Sequence, residues 1–224
     1  MRSPALCTNG FYHVYNHSVG QRPLFANKRD YYEFLEYLYL FSDANFKNPD
    51  GDFMLKAIPL AGHEVFSVER DPLVKILSFN LRSNHFHLFL EQLKDNGISI
   101  LLHKLQRTYS FRSNKRRGEF GTLFEPKFKA KLIDNQAYNT HLPRYIHLNS
   151  LDPHMPRWRI DGIQNWDEAF KILENDPWSS HHVYMGRAQE LPIVDEKFVH
   201  SLFGSNDEYL EFLREPIQPY ETIL

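Results

Sequence analysis

Apolar positions recur along this chain in two rhythms. A two-residue alternation marks strands and a three-to-four-residue spacing marks helices. "FYHVYNHSV" (11–19), rich in aromatic and β-branched residues, reads as a strand. "NKRDYYEFLEYLYLFSDA" (27–44) places Phe34, Leu35, Leu38 and Phe41 at helical spacing, with Asn27 or Asp30 to begin the helix. "NFKNPDGDF" (45–53) is rich in turn formers. "LVKILSFNLRS" (73–83) and "HFHLFLEQ" (85–92) read as two strands joined tightly at Arg82 to Asn84. A second helix follows at 98–117, with Ile98, Leu101, Leu102, Leu105 and Tyr109 along one side. "GTLFEPKFKAKLI" (121–133) reads as a strand, with Pro126 as an edge or bulge signal. A third helix spans 135–150, started by Asp134 or Asn135 and interrupted by Pro143, which implies a kink or a late start.

The order is β-α-β-β-α-β-α. Its first six elements predict an α+β fold of the ferredoxin-like kind, an antiparallel sheet with helices on one face. Beyond residue 151 the pattern loosens into short helical stretches at 167–176, 194–203 and 206–215, with a turn into another at 176–186. The expected organisation is a ferredoxin-like domain over 1–151 and a mostly helical C-terminal extension over 152–224 packed on it.

Composition narrows the class. The chain has 224 residues, 42% hydrophobic and 15% aromatic, as a folded globular protein should. Its single cysteine, Cys7, excludes an internal disulfide and a cysteine-built zinc site, and fits a reducing, cytoplasmic setting. The N-terminal stretch shows no signal-peptide pattern, and no stretch approaches the roughly 20 apolar residues of a membrane span. The net charge is only −2. Yet between His103 and Lys131 nine basic residues (Lys104, Arg107, Arg112, Lys115, Arg116, Arg117, Lys127, Lys129 and Lys131) face only Glu119 and Glu125, a local net charge of +7. A basic segment on an acidic body suits a polyanion, or simply a solvated helix face.

Candidate chemistry begins with His85 and His87. On a strand, residues i and i+2 share a face, so the two imidazoles project side by side while Phe86 turns into the core. Two such rings can hold one metal ion, or they can be ordinary polar residues on a wet face. On the third helix Tyr145 and Asn149 lie four apart and share a face. Asn149 offers an amide oxygen as a third ligand, or it caps the helix end. Tyr145 offers a phenol that can act as a nucleophile, or it packs with its hydroxyl satisfied.

Together, "NHFHLFL" followed by "YIHLNS" resembles the single-tyrosine HUH transposases, most closely the REP-associated tyrosine transposases. "YHVYNHSVGQRPLF", "GTLFEPKFKAKLI" and "WSSHHVYMG" resemble three further motifs of that family in the same order, over about residues 11–186. There are departures. Asn149-Ser150-Leu151 stands where the family has Asn-Pro-Val, His17 and Lys127 stand where arginines are usual, and segments 42–72 and 152–175 are longer.

The resemblance implies a metal-dependent enzyme that cleaves and rejoins single-stranded DNA beside a hairpin. Tyr145 would attack the scissile phosphate, giving a 5′-phosphotyrosine bond and a free 3′-hydroxyl. His85, His87 and Asn149 would hold Mg²⁺ or Mn²⁺, which neutralises charge on the phosphate. Arg107, Arg112, Lys115, Arg116, Arg117, Lys127 and Lys129 would follow the phosphate backbone, and Tyr109, Phe111, Phe120 and Phe124 are interleaved as possible stacking residues, with core packing favoured for Tyr109 and Phe124. His141, one turn before Tyr145, could assist proton transfer, but a surface or capping role is favoured. A nucleoid-associated, bacterial-type monomer is expected. Two other functions fit the same residues: a catalytically silent DNA-binding protein derived from such an enzyme, and a metal-dependent phosphodiester hydrolase that uses water. A plain ferredoxin-like domain, with Tyr145 far from the histidines, is the remaining reading.

Overall fold

A computed structural model describes residues 6–20, 22–46 and 69–215, without the side chains of 136–138. Strands β1 (Phe11–His17), β2 (Val74–Arg82), β3 (His85–Gln92) and β4 (Lys129–Ile133) form one sheet in the order β2-β3-β1-β4, with every neighbouring pair antiparallel. Helix α1 (Lys28–Phe41) connects β1 to β2 and helix α2 (Gly97–Arg117) connects β3 to β4. This is the ferredoxin-like arrangement the hydrophobic pattern predicts, with β3 and β1 in the middle.

The helices form where their sequences allow. Asn27 caps α1 through its side chain, which accepts from the Asp30 amide. All four periodic residues of α1 and all five of α2 are buried. At Gly97, a Cβ would lie 2.3 Å from the Leu73 carbonyl oxygen, so only glycine lets α2 start this close to the sheet. Gly118, with φ +65°, ends the helix in the left-handed region.

Helices α1 and α2 cover one face of the sheet, as expected. The other face is also covered. Along β3, Phe86, Leu88 and Leu90 join the core under α1 and α2, whereas Phe89 packs with Leu77, Ile133 and two residues of helix α3 (Gln136–Leu148), Leu142 and Ile146. The physical reason lies in the strand itself. From Leu88 to Leu90 it is apolar at every position, with Phe89 facing away from Leu88 and Leu90, so neither face can be left to water there. α3 therefore lies across β2 and β3 on the second face.

The predicted strand at 121–133 is shorter than expected. Only Lys129–Ile133 joins the ladder, after Pro126, and Phe124 makes an isolated bridge with Ser18. Residues 47–68, which include most of the turn-rich loop, lie outside the described residues.

The C-terminal part adds α4 (Trp158–Asp161), α5 (Trp166–Asn175), α6 (His181–Tyr184), α7 (Glu196–Leu202) and α8 (Asn206–Arg214). Its apolar residues, among them Trp158, Leu173, Tyr184 and Tyr209, belong to the same core as α1 and α2. Trp178-Ser179-Ser180 runs along the outer edge of β2. The Leu81 amide donates to Trp178 O (2.9 Å), the Ser180 amide to Phe79 O (3.0 Å), and the Phe79 amide to Ser180 Oγ (2.9 Å). An edge covered in this way cannot pair with another strand. Buried polar groups tie the same segment to α3. His147 bridges Ser180 Oγ (2.7 Å) and the Tyr209 hydroxyl (2.8 Å), and His181 Nδ1 meets that hydroxyl at 2.9 Å. The fully buried Arg144 donates to the carbonyls of Phe212 and Glu215 at the end of α8.

Much of the basic segment has a structural role. Arg116 and Arg117 both donate to the buried Asp30 at 2.7 Å, Arg112 donates to Glu33 at 2.8 Å, and Arg116 also pairs with Glu33. Arg117 further donates to the carbonyls of Pro23 and Leu24. These three arginines, expected on DNA, fasten the end of α2 to α1 in the DNA-free protein. Removing Asp30 takes away the buried carboxylate that Arg116 and Arg117 share, so Asp30→Ala is expected to cost about 3 kcal/mol, read as a lower urea midpoint. Arg117→Ala is expected to lower the same midpoint while changing oligonucleotide affinity by less than about threefold, since its donors are already committed.

Candidate active site

The face of the sheet under α3 carries four histidines. On β1 the alternation brings His13, Tyr15 and His17 to that face, and on β3 it brings His85, His87 and Phe89. The register sets Tyr15 opposite His87 and His17 opposite His85. The His17 and His85 rings stack at 4.9 Å, the His13 and His87 rings at 5.1 Å, and the His85 and His87 rings meet edge-on at 5.0 Å.

The bonding of the pair suits metal ligands. His85 Nδ1 meets Asn84 Oδ1 at 2.7 Å, and His87 Nδ1 meets His13 Nε2 at 2.9 Å. Each ring thus has its Nδ1 engaged, which leaves Nε2 as the ligating atom. For His87 Nε2 to carry a lone pair, Nδ1 must donate to His13, and the proton of His13 then sits on its buried Nδ1. Burial keeps the rings neutral. It lowers His85 to about 4, helped by the nearby His17, and lowers His13 to about 3, helped by Lys131. His87 is held well below the ordinary range by burial and by His13. Neutral imidazoles keep their lone pairs for a cation at pH 7.

Tyr145 reaches this cluster from α3. Its ring lies edge-on to both His87 (5.9 Å) and His13 (5.8 Å). The arrangement that would have left a plain ferredoxin-like domain, with Tyr145 remote from the histidines, is not what the chain adopts. Burial raises the Tyr145 pKa, and the Arg159 guanidinium opposes this through charge and a hydrogen bond.

Asn149, the expected third ligand, closes α3 and begins a 3-10 turn (Asn149–Leu151). Its Nδ2 donates back to the Tyr145 carbonyl at 2.6 Å, so the capping role is realised. Its Oδ1 accepts from Arg159 Nη2 at 2.6 Å. Among the described residues, no group of three His, Cys, Asp or Glu side chains is placed to hold a metal ion. A divalent cation here would rest on the two Nε2 atoms and, only if Arg159 yields it, on Asn149 Oδ1. Ser150, standing where the resembled family has proline, accepts from Asn80 Nδ2 at 2.7 Å and pins the turn to β2.

Of the other expected residues, Lys129 belongs to the site face, with its ammonium 5.6 Å from the centre of the Tyr15 ring. Lys127, Lys115 and Arg107 are exposed. Tyr109 and Phe124 are buried in the core, whereas Phe111 and Phe120 are exposed. His141 packs its ring against Phe212 at 5.1 Å. Sequence reasoning missed His13, Tyr15 and Arg159. The first two were accessible, because His13-x-Tyr15-x-His17 repeats the spacing of His85-x-His87. Arg159 carries no local signal. It comes from the extension and is set by Asp152, which it pairs with, and by Trp158, whose ring it covers at 4.3 Å.

One solved structure, described as "Structure of the REP associates tyrosine transposase bound to a REP hairpin", is similar with a TM-score of 0.49 at 13% identity, over 87% of this chain and 96% of that one. No curated protein matches. The family model "Transposase IS200 like" matches residues 64–149, the stretch that holds His85, His87, Tyr145 and Asn149. Over that stretch the chain is similar to the IS200-like transposases.

Proposed function

We propose that this protein is a DNA transposase that cuts and rejoins single-stranded DNA next to a hairpin, with Tyr145 as its nucleophile. The observation that carries the reading is the convergence of Tyr145 from α3 with His85 and His87 from β3 on one face of the sheet. Tyr145 loses its hydroxyl proton to solvent as its oxygen bonds to phosphorus. The bond from phosphorus to the 3′-oxygen breaks, and that oxygen leaves as a protonated 3′-hydroxyl. The DNA 5′ end is then held on Tyr145. Attack by another 3′-hydroxyl reverses the step and restores the tyrosine, so strand transfer consumes no added energy source.

His85 and His87, with Asn149 as third ligand, would hold Mg²⁺ or Mn²⁺; nitrogen ligands favour Mn²⁺ of the two. When bound, such a cation withdraws charge from the phosphate oxygens. His13 fixes the orientation of His87, and Asn84 that of His85. Lys129, beside Tyr15, adds positive charge on the same face for the incoming backbone. A duplex would hold its phosphate away from a tyrosine set on a helix over the sheet, which is why the substrate is single-stranded at the cut.

The test is covalent capture. End-labelled single-stranded oligonucleotides carrying an imperfect palindrome are incubated with the protein and Mn²⁺, denatured, and run on a gel. A labelled band that migrates with the protein and disappears on proteolysis is expected. Absence of that band on a panel of hairpin sequences, with oligonucleotide binding retained, would favour a silent DNA-binding protein instead.

A further inference from the structure

Among the described residues, Arg159 is the one basic side chain seen to bond the expected third ligand, and it does so from a segment outside the family match. Its position is well determined. Asp152 pairs with both terminal nitrogens of the guanidinium, and the Trp158 ring lies beneath it at 4.3 Å. From there Nη2 reaches Asn149 Oδ1 at 2.6 Å, and the group lies 5.6 Å from the Tyr145 ring and bonds that side chain. The Asn149 amide cannot turn away at no cost, because Nδ2 is engaged with the Tyr145 carbonyl.

We infer that Arg159 and a divalent cation compete for Asn149 Oδ1, and that a DNA phosphate relieves the competition by drawing the guanidinium to itself. This deepens the reading of a two-histidine cation site and rests on it. A cation bound to Oδ1 at about 2.1 Å would face a guanidinium already bonded to the same oxygen. The single carboxylate of Asp152 offsets only one of those charges. A phosphate diester under attack by Tyr145 must lie beside the phenol oxygen, hence beside Arg159. It offers the guanidinium two acceptor oxygens and a negative charge in place of a neutral amide. Cation and DNA binding are then linked, each strengthening the other by the same factor. The metal site is completed when substrate is present, which keeps the third ligand masked in the DNA-free protein.

The experiment measures Mn²⁺ binding from the free-ion signal in electron paramagnetic resonance. It uses the full chain as wild type, Arg159→Gln, Asn149→Ala and the double variant, each with and without a single-stranded oligonucleotide. Without DNA, Arg159→Gln is expected to bind Mn²⁺ on the order of tenfold more tightly than wild type. That gain is expected to vanish in the Asn149→Ala background, and DNA is expected to tighten Mn²⁺ binding in wild type more than in Arg159→Gln. Arg159→Met, which keeps the packing on Trp158, should give the same order. Equal or weaker binding by Arg159→Gln and Arg159→Met overturns the inference. So does a gain that persists without Asn149, which would mean simple charge repulsion, and so does a lack of Mn²⁺ binding in every variant. A failure to form the Tyr145 adduct, with the Mn²⁺ pattern intact, would instead overturn the nuclease reading and leave this one standing.

Discussion

Replacing Tyr145 with phenylalanine is expected to remove the covalent protein–DNA band, a loss of at least about 10³-fold, with Mn²⁺ binding and thermal stability nearly unchanged. The change deletes one oxygen from a half-buried ring and leaves its contacts with His13 and His87 in place. A second tyrosine sharpens the assignment. Tyr15 lies on the same face, with its ring 5.7 Å from that of His87, so proximity alone does not separate the two. Tyr15→Phe is expected to keep adduct yield within about threefold of wild type. If instead Tyr15→Phe loses the band and Tyr145→Phe keeps it, the nucleophile is misassigned. His87→Ala is expected to lower adduct formation by about 10²-fold or more, because it removes a ligand and also the partner of His13. A hydrolase that activates water would show the opposite split. Tyr145→Phe would still cleave, His87→Ala would not, and no covalent band would form in any variant.

Stability is expected to fall steeply with acid. His13, His147 and His181 are buried, and each has its pKa lowered by burial first, to about 3 for His13 and His181 and well below the ordinary value for His147. Unfolded, each would protonate near 6.5. Below that pH the unfolded chain binds protons that the folded chain refuses. The folded state therefore keeps its full advantage above about pH 6.5 and loses it as pH falls toward the folded values. Each group contributes about 1.4 kcal/mol per pH unit in that window, so three together give about 4 kcal/mol per unit. Against a typical total stability of about 5–15 kcal/mol, cooperative unfolding is expected near pH 4 to 5. Urea midpoints at pH 7, 6 and 5 are the check, and a flat profile between pH 7 and 5 would contradict it.

Much of the fold was legible because it depends on local pattern. The periodic residues of α1 and α2 all lie in the core, and the alternation of "HFHLFLEQ" correctly set both histidines on one face with Phe86 on the other. The same strand also held an unused clue. Its short apolar run, Leu88 to Leu90, puts large apolar side chains on both faces and so requires cover on both, which is why α3 lies where one-sided packing leaves no room for it. Charge was less informative, since a run of arginines looks the same whether it meets DNA or carboxylates elsewhere in the chain. Asp30 and Glu33 lie some eighty residues before the arginines they bind, and no local signal joins them. Arg159 is a similar case. Its partnership with Asn149 follows from how the extension folds back, which spacing along the chain does not encode.

The place of β1 sets a limit on how this molecule can be divided. Residues 11–17 form the strand between β3 and β4, yet they precede the stretch that matches the family model. The stretch 64–149 taken alone would lack its central ladder, two of the four clustered histidines and the residue that orients His87. It would also lose the Trp178–Ser180 segment that covers β2 and the Tyr209 hydroxyl that His147 binds. A fragment library scanned for the smallest soluble, active piece should therefore find none that starts after residue 11 or stops before Arg214. A genetic fusion is best joined outside those limits.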